Sequence, residues 1–190
     1  MNLGAAGTST YEFIIGEIGT DKPWLSPAEE RVHRAAARAA RQTGMAITTH
    51  GVLSPVGLAQ LRIFEEEGLD PSRVVIGHAD SWPHLDHYLS IVERGASVEF
   101  DFLGMSFTPQ ERTDEPRLIE LLLELVSRGH ENRILLSQDV CHNQQLRHYG
   151  GNGYTYLADT FLPRARAAGL SDANIETITV ANSRRILTIA

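Results

Sequence analysis

The chain has 190 residues, 42% of them hydrophobic and 22% charged, a balance typical of a soluble globular protein with one good-sized core. A net charge of −7 excludes a broad footprint on nucleic acid or on an anionic membrane. The apolar runs are strand-sized, so no transmembrane helix is expected, and residues 1–10 lack the basic-then-apolar order of a secretory signal. Cys141 is the single cysteine, which rules out an intrachain disulfide and fits a cytoplasmic location.

In chain order the pattern alternates between short apolar runs and amphipathic stretches. A strand is predicted over Tyr11–Gly16. Ser26-Pro27-Ala28-Glu29 then reads as a helix start: a Ser cap, Pro at the first helical position and a Glu that closes a capping box. This helix should end at Gly44. A strand follows over Met45–Thr49, a helix from Ser54-Pro55 to about Gly68, a strand over Arg73–Gly77 and a helix over His84–Arg94. Next come a strand over Ala96–Phe102, a helix over Asp114–Arg128, a strand over Arg133–Ser137, and two helices over Thr155–Ala168 and Ser171–Leu187. The strands are rich in Ile and Val and do not alternate strictly, as expected for strands covered on both faces in a parallel sheet. No interior linker divides the chain, so residues 1–190 are read as a single domain of α/β class.

Four of the strand ends carry groups that can bind a metal: Glu17, His50, His78 and Asp139. From Glu17 to His50 is 33 residues and from His50 to His78 is 28, close to the roughly 31 residues per unit of an eight-unit β/α barrel. In such barrels function sits at the C-terminal ends of the strands. Imidazole nitrogen and carboxylate oxygen suit Zn²⁺ and related divalent ions. A carboxylate can bridge two such ions, and an Asp at the same mouth can ligate one of them and carry a proton. Each residue also has a plain reading, a structural His or a carboxylate in an ion pair or loop cap. It is the four in register with the β/α period that favour a metal site.

The segments Gly16-Glu17-Ile18-Gly19-Thr20, Thr49-His50, Ile76-Gly77-His78-Ala79-Asp80, Glu99-Phe100-Asp101, Leu136-Ser137-Gln138-Asp139-Val140-Cys141 and Tyr149-Gly150-Gly151-Asn152-Gly153-Tyr154 resemble, in order and spacing, the phosphotriesterase family of the amidohydrolase superfamily. The branch they are most similar to is that of the phosphotriesterase homology proteins and phosphotriesterase-like lactonases. The resemblance implies a (β/α)8 TIM-barrel fold with two Zn²⁺ ions. It implies that Glu17 is the bridging carboxylate, that His50 and His78 hold the more exposed metal, and that Asp139 binds the buried metal and acts as the catalytic proton carrier. The implied reaction is metal-assisted hydrolysis of a lactone or carboxylic ester, with phosphotriesters as a side activity. The family's His-x-His motif occurs nowhere in this sequence, and too few residues precede Glu17 to hold three strands. The chain is therefore expected to match about the last five β/α units of the barrel.

Further expectations attach to single residues. Tyr149, Tyr154 and His142 would line the substrate pocket, and Asp80 and Asp101 would support the ligands from behind. His84 and His87 read as a solvated helix face, Cys141 as a buried or semi-exposed thiol, and Asn182-Ser183 as a small change at a helix start. Partners are expected to be a small ester, lactone or organophosphate, with no nucleic acid or membrane; a homodimer is allowed. Two other classes stay open: a catalytically inactive fragment or pseudoenzyme with a partial metal site, and an open barrel completed by another chain.

Overall fold

A computed structural model describes residues 13–105 and 114–189. Its first helix forms where local chemistry demands one. The Ser26 hydroxyl accepts from the Glu29 amide, the Glu29 carboxylate accepts from the Ser26 amide, and Pro27 opens α1 (Pro27–Thr43). Gly44, at φ 74°, closes it in the left-handed conformation that glycine adopts without penalty. The apolar stripe of α1 is built from alanines, with Ala36, Ala37 and Ala40 buried, which lets the helix lie close to the sheet.

Five strands make one parallel sheet in sequential order: β1 (Ile14–Gly19), β2 (Ala46–His50), β3 (Val74–Ile76), β4 (Ser97–Phe100) and β5 (Ile134–Leu136). Helices α1, α2 (Gly57–Glu66), α3 (Leu85–Val92) and α4 (Glu115–Ser127) form the crossovers. The α/β class and the sequential parallel order agree with the barrel-type expectation. Side chains divide cleanly by face. Ile47, Val74, Ile76, Val98, Phe100 and Ile134 pack outward with the helices in the main core. Ala46, Val75 and Leu135 face the other way and meet Ile186 in a small second cluster. Strand residues that alternate with the outward set therefore line the inner face, as in a barrel wall.

Several boundaries differ from the sequence reading. β1 runs from Ile14 to Gly19, so Glu17 lies within the strand; Tyr11 and Glu12 fall outside the described residues. α2 starts at Gly57 after a Val56 that makes no side-chain cap, and the Ser54 hydroxyl is buried without a partner. The last two helical regions each contain a π-helical turn, at Leu157–Phe161 and Thr177–Ala181, followed by α5 (Leu162–Ala167) and α7 (Asn182–Leu187); α6 (Asp172–Glu176) precedes the second turn. Asn182 consequently opens α7 without a break, as the continuation of the π-helical turn before it. It is buried in a continuous helical run, and its amide donates to the carbonyls of Glu131 and Ile134, both at 2.8 Å. Arg73 holds the same segment from below by donating to the carbonyls of Arg185 and Thr188. The chain end is thus fastened under the N-terminal ends of the strands, opposite the edge where the candidate ligands gather.

Candidate metal centre

Backbone features at the C-terminal strand ends aim three side chains at one point. The β1–β2 register runs Ile15↔Ile47 and then Ile18↔Thr49, so β1 carries one extra residue at Gly16-Glu17. Such a bulge bends a strand and re-aims a side chain. Gly16 is required there because a Cβ would collide with Thr48. Gly77 does the same for β3, since a Cβ would strike the Thr49 carbonyl. The next residue, His78, takes φ 51°, an uncommon conformation for a non-glycine. These two close approaches bring Glu17 and His78 to His50, the last residue of β2.

One donor atom each of Glu17, His50 and His78 lies within 4.8 Å of the other two. Glu17 Oε1 is 3.1 Å from His78 Nε2, Glu17 Oε2 is 3.5 Å from His50 Nδ1, and the two imidazole nitrogens are 2.8 Å apart. The His50 and His78 rings meet edge to face. Exposure grades across the set: the His78 side chain is 2% exposed, whereas Glu17 and His50 are 42% and 40% exposed. The site is therefore anchored at His78 and open to solvent above it.

Asp101 fixes His78 from behind. Its carboxylate accepts from the His78 amide at 3.0 Å and lies 2.8 Å from His78 Nδ1. A carboxylate on one ring nitrogen sets the tautomer and leaves Nε2 as a lone-pair donor, the usual support of a metal-binding histidine. Phe102 covers the ring of His78 at 4.6 Å. Burial raises the Asp101 carboxyl well above the ordinary carboxylate range, and the neighbouring charge of Glu99 raises it further. Asp80 does not touch the histidines. It is buried, accepts from the Phe102 amide at 2.8 Å and so braces the segment that carries Asp101; burial and the Asp101 charge raise its carboxyl as well.

Asp139 stands apart from the converging three. It lies three residues beyond β5 at φ 39°, half-buried, with its Oδ2 3.8 Å from the exposed Cys141 thiol. Its charge nevertheless contributes to raising the carboxyls of Glu99 and Asp101. His142 is exposed, and Tyr149 and Tyr154 are 59% and 72% exposed on the loop that follows. His84 is exposed as expected, but His87 is buried: its side chain turns inward beside Gly57 rather than into solvent. That burial lowers the His87 pKa to about 4.

Glu99 figures in the sequence reading only within the segment Glu99-Phe100-Asp101 and is given no role there. It lies on the inner face of β4 between Ser97 and Asp101, and burial raises its pKa above the ordinary carboxylate value although the nearby Ser137 side chain lowers it. The outward positions Val98 and Phe100 were the available signal, because alternation sends Glu99 inward with Asp101.

The comparisons with known proteins agree with this architecture. Residues 1–187 match the Phosphotriesterase family. The phosphotriesterase homology protein of Escherichia coli is 41% identical over 179 residues, covering 94% of this chain and 60% of the relative. An N-acetyltaurine hydrolase of Dictyostelium discoideum is 33% identical over 195 residues, covering 98% of this chain and 52% of that protein. Among solved structures, the Escherichia coli phosphotriesterase homology protein complexed with phosphate in its active site superimposes with a TM-score of 0.83 at 40% identity, over 90% of this chain and 58% of that one. A resiniferatoxin-binding protein from Rhodobacter sphaeroides gives a TM-score of 0.85 at 36% identity, over 92% of this chain and 50% of that one. The chain spans about half to three-fifths of the length of these relatives. With sheet order, strand-end donors and family match in agreement, the chain belongs to the phosphotriesterase family.

Proposed function

We propose that this chain carries the cation-binding side of a hydrolase site that cleaves lactones or other carboxylic esters, with phosphotriesters as a secondary class. The observation that carries the reading is the convergence of Glu17, His50 and His78 within 4.8 Å, with Asp101 holding the buried histidine. Two imidazole nitrogens and a carboxylate fit Zn²⁺ or a similar divalent ion. When bound, such an ion polarises a carbonyl or phosphoryl oxygen and lowers the pKa of water.

The chain's own residues supply the rest. Asp101 keeps His78 Nε2 directed at the cation position. Glu17, half exposed, offers both carboxylate oxygens to the two histidines. Asp139 takes the proton of the attacking water and returns it to the leaving alkoxide, the role of a general base and then acid. The substrate class draws on the family name and on matched structures described as a phosphotriesterase and as a phosphotriesterase-like lactonase. The N-acetyltaurine hydrolases among the relatives add carboxylic amides as a further class to assay.

A second reading is a cation-binding protein without turnover. It is favoured by the grouping of three donors, since Asp139 is not part of that close set among the described residues. Metal content measured together with hydrolysis of a γ-lactone, a phosphotriester and N-acetyltaurine separates the two. The hydrolase reading predicts bound zinc and a turnover that Asp139→Asn removes. Bound metal without turnover on any of these substrates supports the second reading, and no metal binding at all overturns both.

A further inference from the structure

The loop after β5 contains a side chain as buried as the core but bonded wholly to backbone. Gln145 is 5% exposed and sits at the end of a single helical turn, Asn143–Gln145. Its Oε1 accepts from the amides of Cys141 and His142, each at 2.7 Å, and its Nε2 donates to the carbonyl of Asp139 at 2.8 Å. Two donors on one side and an acceptor on the other determine which end of the side-chain amide is oxygen. The group spans residues 139–142 and replaces the bonds that a regular strand or helix would have supplied there.

Resting on the assignment of Asp139 to the metal centre, we propose that Gln145 is the positioning residue for Asp139. Asp139 needs such a holder. It is one of only three non-glycine residues at positive φ among the described residues, and the other two, Leu53 and His78, are each fixed by a neighbouring polar group. The Leu53 amide donates to the Ser81 hydroxyl, and His78 is gripped by Asp101. Asp139 lies beyond the last paired residue of β5, so sheet hydrogen bonds do not hold its backbone. Gln145 provides the equivalent restraint through the Asp139 carbonyl and the two amides beyond it.

The clamp is itself fixed. The Gln145 carbonyl accepts from the Gly153 amide at 2.7 Å, and the Gly153 carbonyl accepts from the side chain of Gln138 at 2.7 Å, which directly precedes Asp139. Gly151 lies so close to the backbone of Gln144 and Gln145 that a Cβ would collide with it. Gly151 and Gly153 therefore act as the backstop of the clamp, a role that explains these two glycines without assigning them to a ligand. Glutamate in place of Gln145 would still accept from both amides but would oppose the Asp139 carbonyl with a second acceptor. Leucine would lose all three bonds at similar volume.

Cobalt(II) titration of the full chain, followed by visible absorbance, tests the proposal. Asp139→Asn is expected to change the affinity or the spectrum. Gln145→Leu, with unchanged far-ultraviolet circular dichroism, should weaken cobalt binding by about 10-fold, as for other residues that orient a ligand. Gln145→Glu should fall between it and the parent chain, and carries the test alone if the leucine variant does not fold. The Asp139→Asn/Gln145→Leu double variant should bind no more weakly than Asp139→Asn, because the clamp acts through that one residue. A Gln145→Leu chain that binds like the parent while Asp139→Asn is impaired overturns the positioning role and leaves Asp139 in place. Additive losses in the double variant also overturn it, since they describe a loop that merely stabilises the fold. Parent-like binding by Asp139→Asn overturns the assignment of Asp139 and the clamp together.

Discussion

The two sides of the candidate centre are held by different means. Glu17, His50 and His78 stand on or next to three adjacent paired strands, with glycines allowing close approach and Asp101 locking the buried ring. Asp139 hangs beyond its strand, on a loop kept in shape by one glutamine side chain and a run of glycines. Rigid elements place a ligand more accurately than loops do. The sheet-held side should therefore bind a cation in a preformed geometry, and the loop-held side should be where small changes alter function with little effect on the fold.

The largest effect is expected at the sheet-held side. His78→Ala removes the buried donor and should weaken Zn²⁺ binding by well over about 100-fold, more than the loss of an orienting partner costs; isothermal titration would read it. Asp101→Asn keeps the shape but loses the charged support of His78, and should weaken zinc binding by about 10–100-fold in the same titration.

The third prediction concerns stability on that same side. His87, on α3 beside β3, has its pKa lowered by burial from 6.5 to about 4. The unfolded chain binds this proton between those values and the folded chain does not, so stability should rise as pH increases from 4 to 6.5. Below 6.5 the fold should lose up to about 3 kcal/mol by pH 4. His33, buried on α1 with its pKa also lowered mainly by burial, adds in the same direction. Urea midpoints at pH 4.5 and 7 should differ less in His87→Gln than in the parent chain.

The smallest effect belongs to the loop. Gly153→Ala places a Cβ at φ 71° and 2.8 Å from the Arg147 side chain, and should cost about 1–2 kcal/mol of stability. Zinc binding through the three sheet-held donors should change little. A loss of zinc binding as large as that of His78→Ala would abolish the contrast between the two sides.

Much of the sheet-held side was legible in the sequence. Glu17, His50 and His78 end apolar runs 33 and 28 residues apart, and Asp101 lies at the end of another, so period and residue type pointed to one mouth. The capping box at Ser26 and Glu29 and the closing Gly44 were equally plain. On the loop-held side Asp139 itself was read as a strand-end donor, but what holds it was not legible. Gln145 lies in a stretch without periodicity, and nothing local marks a polar residue that will be buried by bonding to backbone three to six residues away. His87 was misread for a related reason: α3 buries a wide arc that includes Tyr88, Ile91 and Val92, and a histidine within that arc looks polar in sequence but turns inward. The π-helical turns that carry Phe161 and Ile178 into the core likewise have no signature in a 3.6-residue pattern.

The central claim is that Glu17, His50 and His78 hold a divalent cation. Its most direct test is zinc content per chain after equilibrium dialysis, for the parent and for His50→Asn/His78→Ala. The parent should retain at least one zinc per chain and the double variant none. Equal zinc in the two, or none in the parent, would contradict the account.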